Sequence, residues 1–335
     1  HYHNQTQKNM SYFHLNLILK GKLTVCCLLM LSVIPLNAQR EAKQIGDFKE
    51  SISLNEHLRG TKRTLQYRPD GDEFVCVNGK NRYTRALYGS HSPFRVETSD
   101  RPVFAFYNNG RGGNISFKVI LRDGTELALD RTGYCESRYS AGKRTYYLTD
   151  PSWGKGELRI SVLALADMDG AIWRFSPSNM PKGAILRWQH GGATGKRLSR
   201  NGDMGVDPAD CFELPVEATD LVTGELPLQK EVYLVRGEVP EGYNVRKLYQ
   251  QAEAASLALA SHLKIETPDP YLNTLGGALV AAADGIWDGQ VWLHGAIGWR
   301  MPLSGWRAGY TGDALGWHDR ARTHFDAYAA SQVTD

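Results

Sequence analysis

Between residues 74 and 235 the chain alternates short apolar runs with turn signals; after Pro240-Glu241-Gly242 that rhythm gives way to a helical one. Phe74-Val75-Cys76-Val77 leads into Asn78-Gly79 and then Tyr83 to Tyr88, the pattern of a hairpin. Val103 to Tyr107 precedes Asn109-Gly110, Ile115 to Leu121 precedes Asp123-Gly124, and Glu126 to Leu129 follows. Glu157 to Ala164, Ala171 to Phe175 after Asp169-Gly170, and Val232 to Val235 continue the series. Many short strands with closely spaced turns predict an antiparallel β-sandwich over residues 46–240.

The second half has a different period. Val245, Leu248, Tyr249, Ala252, Ala255, Leu259 and Leu263 lie on one helical face, which predicts a linker helix within 241–267. Thr267-Pro268-Asp269-Pro270 stops it and opens a second helix, Tyr271 to Ala283, closed by Asp284-Gly285. A third stretch runs through Trp317, Ala321, Phe325 and Tyr328, with Asp313 placed to cap a helix beginning at Ala314. The fold class expected is therefore multidomain β plus α, an N-terminal sandwich followed by helices.

The first 38 residues stand apart. Residues 1–9 precede the first Met and read as upstream sequence; then come Lys20 and Lys22, the apolar run Leu23 to Leu36, and Asn37-Ala38 before a polar stretch. That order is a signal peptide, and it predicts an exported protein, periplasmic or extracellular, beginning near Gln39. The apolar run is too short to span a bilayer, which takes roughly 20 residues, so no stable membrane span is expected after cleavage. Of the mature cysteines, Cys76, Cys135 and Cys211, at most one pair can bond, and no Cys-x-x-Cys spacing suggests a metal or redox site. A net charge of +3 without long basic runs argues against nucleic acid as the main partner.

Five of the chain's eight Trp fall between Trp287 and Trp317, interleaved with Gly, Arg, His and Asp. Glycine lets loops approach a ligand closely, Trp faces can stack on sugar rings, and forked Arg donors bind hydroxyls or carboxylates. The candidates for binding substrate are Trp292, His294, Arg300, Trp306, Arg307, Tyr310, Trp317 and His318. For any one Trp the alternative is simple filling of the space between helices. His294, His318 and His324 lack a recognisable ligand spacing, so neither a metal nor a cofactor is expected.

Asn81-Arg82-Tyr83-Thr84-Arg85-Ala86-Leu87-Tyr88-Gly89, the linker helix, Pro268-Asp269-Pro270-Tyr271-Leu272-Asn273 and the Gly-Trp-Arg repeats together resemble the secreted six-hairpin glycosidase-like proteins of Bacteroidetes. The resemblance implies a sandwich followed by the start of an (α/α) six-hairpin toroid, 268–335, with its active site in a central pit and a plant or host polysaccharide as substrate. Twelve helices of about 11–12 residues with their loops need well over roughly two hundred residues. Fewer than seventy follow Pro268, so the expectation is an incomplete toroid that exposes an apolar face. A smaller α+β protein, with helices covering one face of the sandwich, is the other architecture these lengths allow.

Glycoside hydrolysis uses two carboxyl groups flanking the bond. Asp284, Asp288, Asp313, Asp319 and Asp326 are available in the helical part, and Asp313 and Asp319 are the catalytic candidates. The structural alternatives are a helix cap for Asp313 and a pairing with Arg322 for Asp319. The second catalytic carboxylate is expected beyond residue 335. A toroid polysaccharide lyase, with His294 or Tyr310 abstracting a proton and Arg300 or Arg307 neutralising a uronate, is the alternative enzyme. A non-catalytic carbohydrate-binding protein is the alternative of another class.

Overall fold

The computed structural model describes residues 66–108, 111–192, 221–239, 241–294 and 306–333. The signal peptide, the start of the expected sandwich at residues 46–65 and Cys211 lie outside them. The described residues of 66–265 and 271–333 form one compact unit. Glu266–Pro270 lies outside that unit; within it Asp269 N donates to Thr267 Oγ1 at 3.2 Å.

Two antiparallel sheets make up the sandwich. The first contains β1 (Arg68–Asp70), β2 (Glu73–Val77), β8 (Tyr134–Ser140), β9 (Lys143–Thr149), β10 (Glu157–Ala164), β11 (Gly170–Ser178) and β14 (Val232–Gly237), paired in that order. The second runs β13 (Val222–Pro227), β12 (Ile185–Gly192), β6 (Arg111–Ile120), β5 (Phe104–Asn108), β4 (Arg95–Thr98) and β3 (Arg85–Leu87), with β7 (Glu126–Ala128) also paired to β6. Period-2 alternation decides what each strand buries. In β10, Leu158, Ile160 and Val162 point into the sandwich; in β6, Ile115, Phe117 and Val119 do. The sheets meet through aromatic edges: Phe104 lies 5.7 Å from Trp173 at 80°, and Phe117 lies 5.2 Å from Phe175 at 64°.

The Asp123-Gly124 hairpin forms as the sequence suggests, with Ile120 opposite Glu126. Asn78-Gly79 does not turn a hairpin. β2 pairs with β1 and β8, whereas β3 pairs with β4 in the other sheet, so the chain crosses between layers there. The Asn78 side chain explains why: its Oδ1 accepts from Cys135 N at 3.0 Å and from Arg101 at 3.2 Å, which anchors the end of β2 to β8. Cys76 and Cys135 are buried free thiols.

Helix α1 (Val245–Ala260) begins at Asn244, whose side chain accepts from Lys247 N at 3.0 Å as an N-cap. Its buried residues Leu248, Tyr249 and Ala252 pack against Leu163, Leu165 and Ile172 on the outer face of the first sheet. α2 (Pro270–Gly285) starts on a proline, whose missing N–H costs nothing in a first turn. Two more helices follow, α3 (Trp306–Ala314) and α4 (His318–Ala330). The described residues are thus an antiparallel β-sandwich followed by a linker helix and further helices. Leu257 on α1, Leu272 and Leu279 on α2 and Phe325 on α4 are each exposed.

Two expectations are corrected here. Residues 306–314 read as a glycine-rich loop but form α3, and Asp313 lies in its last turn instead of capping a helix from Ala314. The glycines are steric requirements of packing: a Cβ at Gly312 would come 2.0 Å from the Trp292 ring, and one at Gly309 would come 2.5 Å from the Phe325 ring. Gly316, at φ 76°, then ends α3 in a Schellman turn. Gly316 N donates to Asp313 O at 2.9 Å and Trp317 N to Gly312 O at 2.8 Å. α4 therefore begins at His318, with Trp317 at the cap position and no side-chain cap bond.

Candidate functional site

Between α2 and α3, Trp287 and Trp292 face each other across a short antiparallel bridge, ring centroids 4.6 Å apart. Asp288 closes the turn: its Oδ1 accepts from Gln290 N at 2.9 Å and Val291 N at 2.7 Å. Trp292 is 1% exposed; its indole N–H donates to Ala283 O at 3.1 Å and its backbone N–H to His324 Nδ1 at 3.2 Å. Trp287, Trp292 and Ala321 form the small core of the helical part, with Trp317 packed at its edge. Trp292 thus fills space between helices and presents no face to solvent.

The polar candidates divide by partner. Asp313 Oδ1 sits 2.5 Å from His318 Nδ1, both side chains about two-thirds exposed. Tyr310, one turn earlier on α3, is 64% exposed. Asp319 is open to solvent, with Arg322 at 3.7 Å, the i,i+3 pairing anticipated from sequence. His294 is exposed. Trp306 and Arg307 belong to α3, but their side chains, and all of Arg300, lie outside the described residues. Among the described residues no group of three or more His, Cys, Asp or Glu is placed to hold a metal, and no helix is long and apolar enough to cross a membrane.

A carboxylate that sequence reasoning did not favour has the most elaborate setting. Asp284 lies in the last turn of α2, where the helix carbonyls disfavour a negative charge. Two side chains offset this: Arg320 from α4 donates to its Oδ1 at 2.7 Å, and His91, in the loop after β3, lies 3.2 Å from the same oxygen. Arg320 is itself held over the Trp317 ring, 4.6 Å from its centroid. Burial pushes the Asp284 carboxyl up, but the His91 and Arg320 hydrogen bonds outweigh it, and the net shift is downward. Beside this triad is a cavity of about 230 Å³ walled by small residues, with Tyr88, Tyr139 and Ser256 as its other polar groups. It is smaller than the roughly 300–1,000 Å³ usual for ligand clefts. An ionised carboxylate locked by Arg cannot donate a proton at neutral pH, so the triad ties two helices to the sandwich.

Residues 109–237 match the family described as Domain of unknown function (DUF4450). That match spans β6 to β14, within the sandwich. No curated protein matches the chain. Among solved structures it is similar to the crystal structure of bacterial glucoamylase complexed with acarbose, with TM-score 0.45 and 9% identity, over 76% of this chain and 53% of that one. The chain therefore spans about half the length of that glucoamylase.

The Asp284 lock has a measurable pH signature. A carboxyl whose folded pKa is depressed stabilises the fold above its unfolded pKa, about 4, and loses that contribution as pH falls through the folded value. Asp284→Asn is expected to unfold more easily than the native chain at pH 7, by about 1–3 kcal/mol, because Arg320 is left without its charged acceptor. The gap should narrow as thermal unfolding is repeated from pH 5 down to pH 3. A gap independent of pH would mean that the charge of Asp284 contributes nothing.

Proposed function

We propose that this chain is the sandwich and first helices of an exported glycoside hydrolase of the six-hairpin type its sequence resembles, acting on a plant or host polysaccharide with Asp313 as a proton-transferring carboxylate. The observation that carries the reading is the Asp313–His318 pair on the exposed face of α3 and α4. Arg320 locks Asp284, backbone N–H groups occupy Asp288, and Asp319 has only a distant arginine. Asp284 and Asp313 both meet an imidazole, a group that can take up or release a proton near neutral pH, but among the described residues Asp313 does so without an arginine on the same carboxylate and with its side chain largely exposed. Tyr310 beside it offers an exposed aromatic face to a sugar ring. Asp319 is the second candidate carboxylate.

The test is product release. Incubation of the protein with neutral plant polysaccharides should generate new reducing ends. Appearance of unsaturated uronate absorbance from acidic polysaccharides would replace hydrolysis by elimination, with His294 or Tyr310 as base. Binding without any product would make the chain a carbohydrate-binding protein, and absence of both would overturn the carbohydrate reading.

A further inference from the structure

A second cavity is remote in sequence from the helical part. It is a groove of about 660 Å³ on the sandwich, lined by the crossover 79–82, the segment 101–103, residues 128–131 and strands β6 and β12. Strand alternation aims its floor. Because Ile115, Phe117 and Val119 turn into the core, Asn114, Ser116 and Lys118 face outward, and Gln189 of β12 stands opposite Ser116.

The charge of this groove is one-sided. Lys80, Arg82, Arg101, Lys118 and Arg131 line it against a single carboxylate, Asp130. Arg101 is held in place by neutral acceptors: the carbonyl oxygens of Asp130 at 3.2 Å and Thr132 at 2.9 Å, and Asn78 Oδ1 at 3.2 Å. Such contacts orient a guanidinium without cancelling its charge, so less freedom is lost when it binds an anion. Lys80 and Arg131 are exposed and have no carboxylate partner among the described residues. Lys118 shares its charge with Glu126 at 3.4 Å.

We propose that this groove binds the anionic groups of an acidic polysaccharide, uronate carboxylates or sulfate esters. Arg101 would act as the fixed donor, Lys80 and Arg131 as mobile ones, and Asn114 and Gln189 as partners for hydroxyls. The one aromatic residue in the lining, Phe117, is 2% exposed and packs its ring against Phe175, so the groove offers no stacking platform for bases. This favours a glycan over single-stranded nucleic acid. The saccharide half of the proposal rests on the carbohydrate reading above; the anion half rests on the groove alone.

Calorimetric titration of the whole chain with a galacturonate oligomer, a sulfated glycosaminoglycan oligomer, a neutral malto-oligosaccharide and a single-stranded oligonucleotide tests it. At least one acidic oligosaccharide should bind, more weakly as salt rises, and the two acidic arms separate carboxylate from sulfate. Arg101→Gln and Lys80→Gln should each lower that affinity by about threefold to tenfold and leave any neutral-glycan binding untouched. Since Arg101 also braces a loop, Lys80→Gln, at an exposed position, keeps the test independent of folding. No acidic ligand bound, unchanged affinity in both variants, or an oligonucleotide bound as tightly as the best glycan would each overturn the proposal. Release of neutral sugar products without acidic binding would sink the groove and spare the hydrolase; acidic binding through Arg101 without turnover would do the reverse.

Discussion

Asp313→Asn is expected to lower glycan turnover by roughly 10²–10⁴-fold while the unfolding temperature stays close to that of the native protein, because an amide cannot transfer the proton that a general acid or base must move. The structure sharpens this contrast. Were Asp313 an N-cap, Asn would serve equally well and the experiment would turn on activity alone. In fact it lies in the last turn of α3, and its structural work there is the bond to His318. Both side chains are largely exposed, a setting in which an ion pair contributes little to stability. The amide oxygen of Asn can still accept from the imidazole, so size, packing and that hydrogen bond survive the change. Product release and thermal unfolding should be measured on the same preparations. Activity within a fewfold of native would remove Asp313 from the chemistry and leave it a surface partner of His318.

The sandwich was legible in the sequence where apolar runs end at turn signals. β10 and the central part of β11 follow from Glu157 to Ala164 and Ala171 to Phe175, mostly buried runs covered on the inner face by the second sheet and on the outer face by α1, with Asp169-Gly170 marking the turn. β8, Tyr-Cys-Glu-Ser-Arg-Tyr-Ser, carries no such signal, because it buries Ser137 alongside Cys135 and Tyr139 and its apolar content is low. Asn-Gly specifies a tight turn locally, but the partner of β2 is decided 57 residues away, where the Asn78 side chain bonds β8, and the chain crosses between layers instead. α3 was missed for a related reason. Glycines weaken a helix by propensity, but here Gly309 and Gly312 admit the rings of Phe325 and Trp292, contacts that no local pattern announces. At the candidate site Trp287, Trp292 and Trp317 pack together, but their clustering in sequence did not separate the buried Trp292 from the exposed Tyr310. His91 and Asp284 come together from positions nearly two hundred residues apart, and only Asp284 had drawn notice, as a helix end.

Trp173→Ala is expected to be the most destabilising single change in the sandwich. Trp173 is fully buried on β11, opposite Val162 of β10 and Leu234 of the edge strand β14. Its ring crosses the interface to meet Phe104 edge-on at 5.7 Å and Phe117 at 6.1 Å, both from the second sheet. Truncation removes its apolar area and leaves a cavity that two hydrogen-bonded sheets, held apart by the remaining rings, cannot collapse to fill. The loss should be about 3–5 kcal/mol, a large share of the 5–15 kcal/mol that stabilises a typical domain. Trp173→Phe keeps a ring against Phe104 and should lose less than the alanine variant. Urea unfolding followed by circular dichroism gives both values, with an unchanged denaturant slope confirming that the same cooperative unit is being measured. If Trp173→Ala costs under about 1 kcal/mol, the two sheets are not held together by the aromatic contacts between them, and the stability of the sandwich must come from elsewhere in its core.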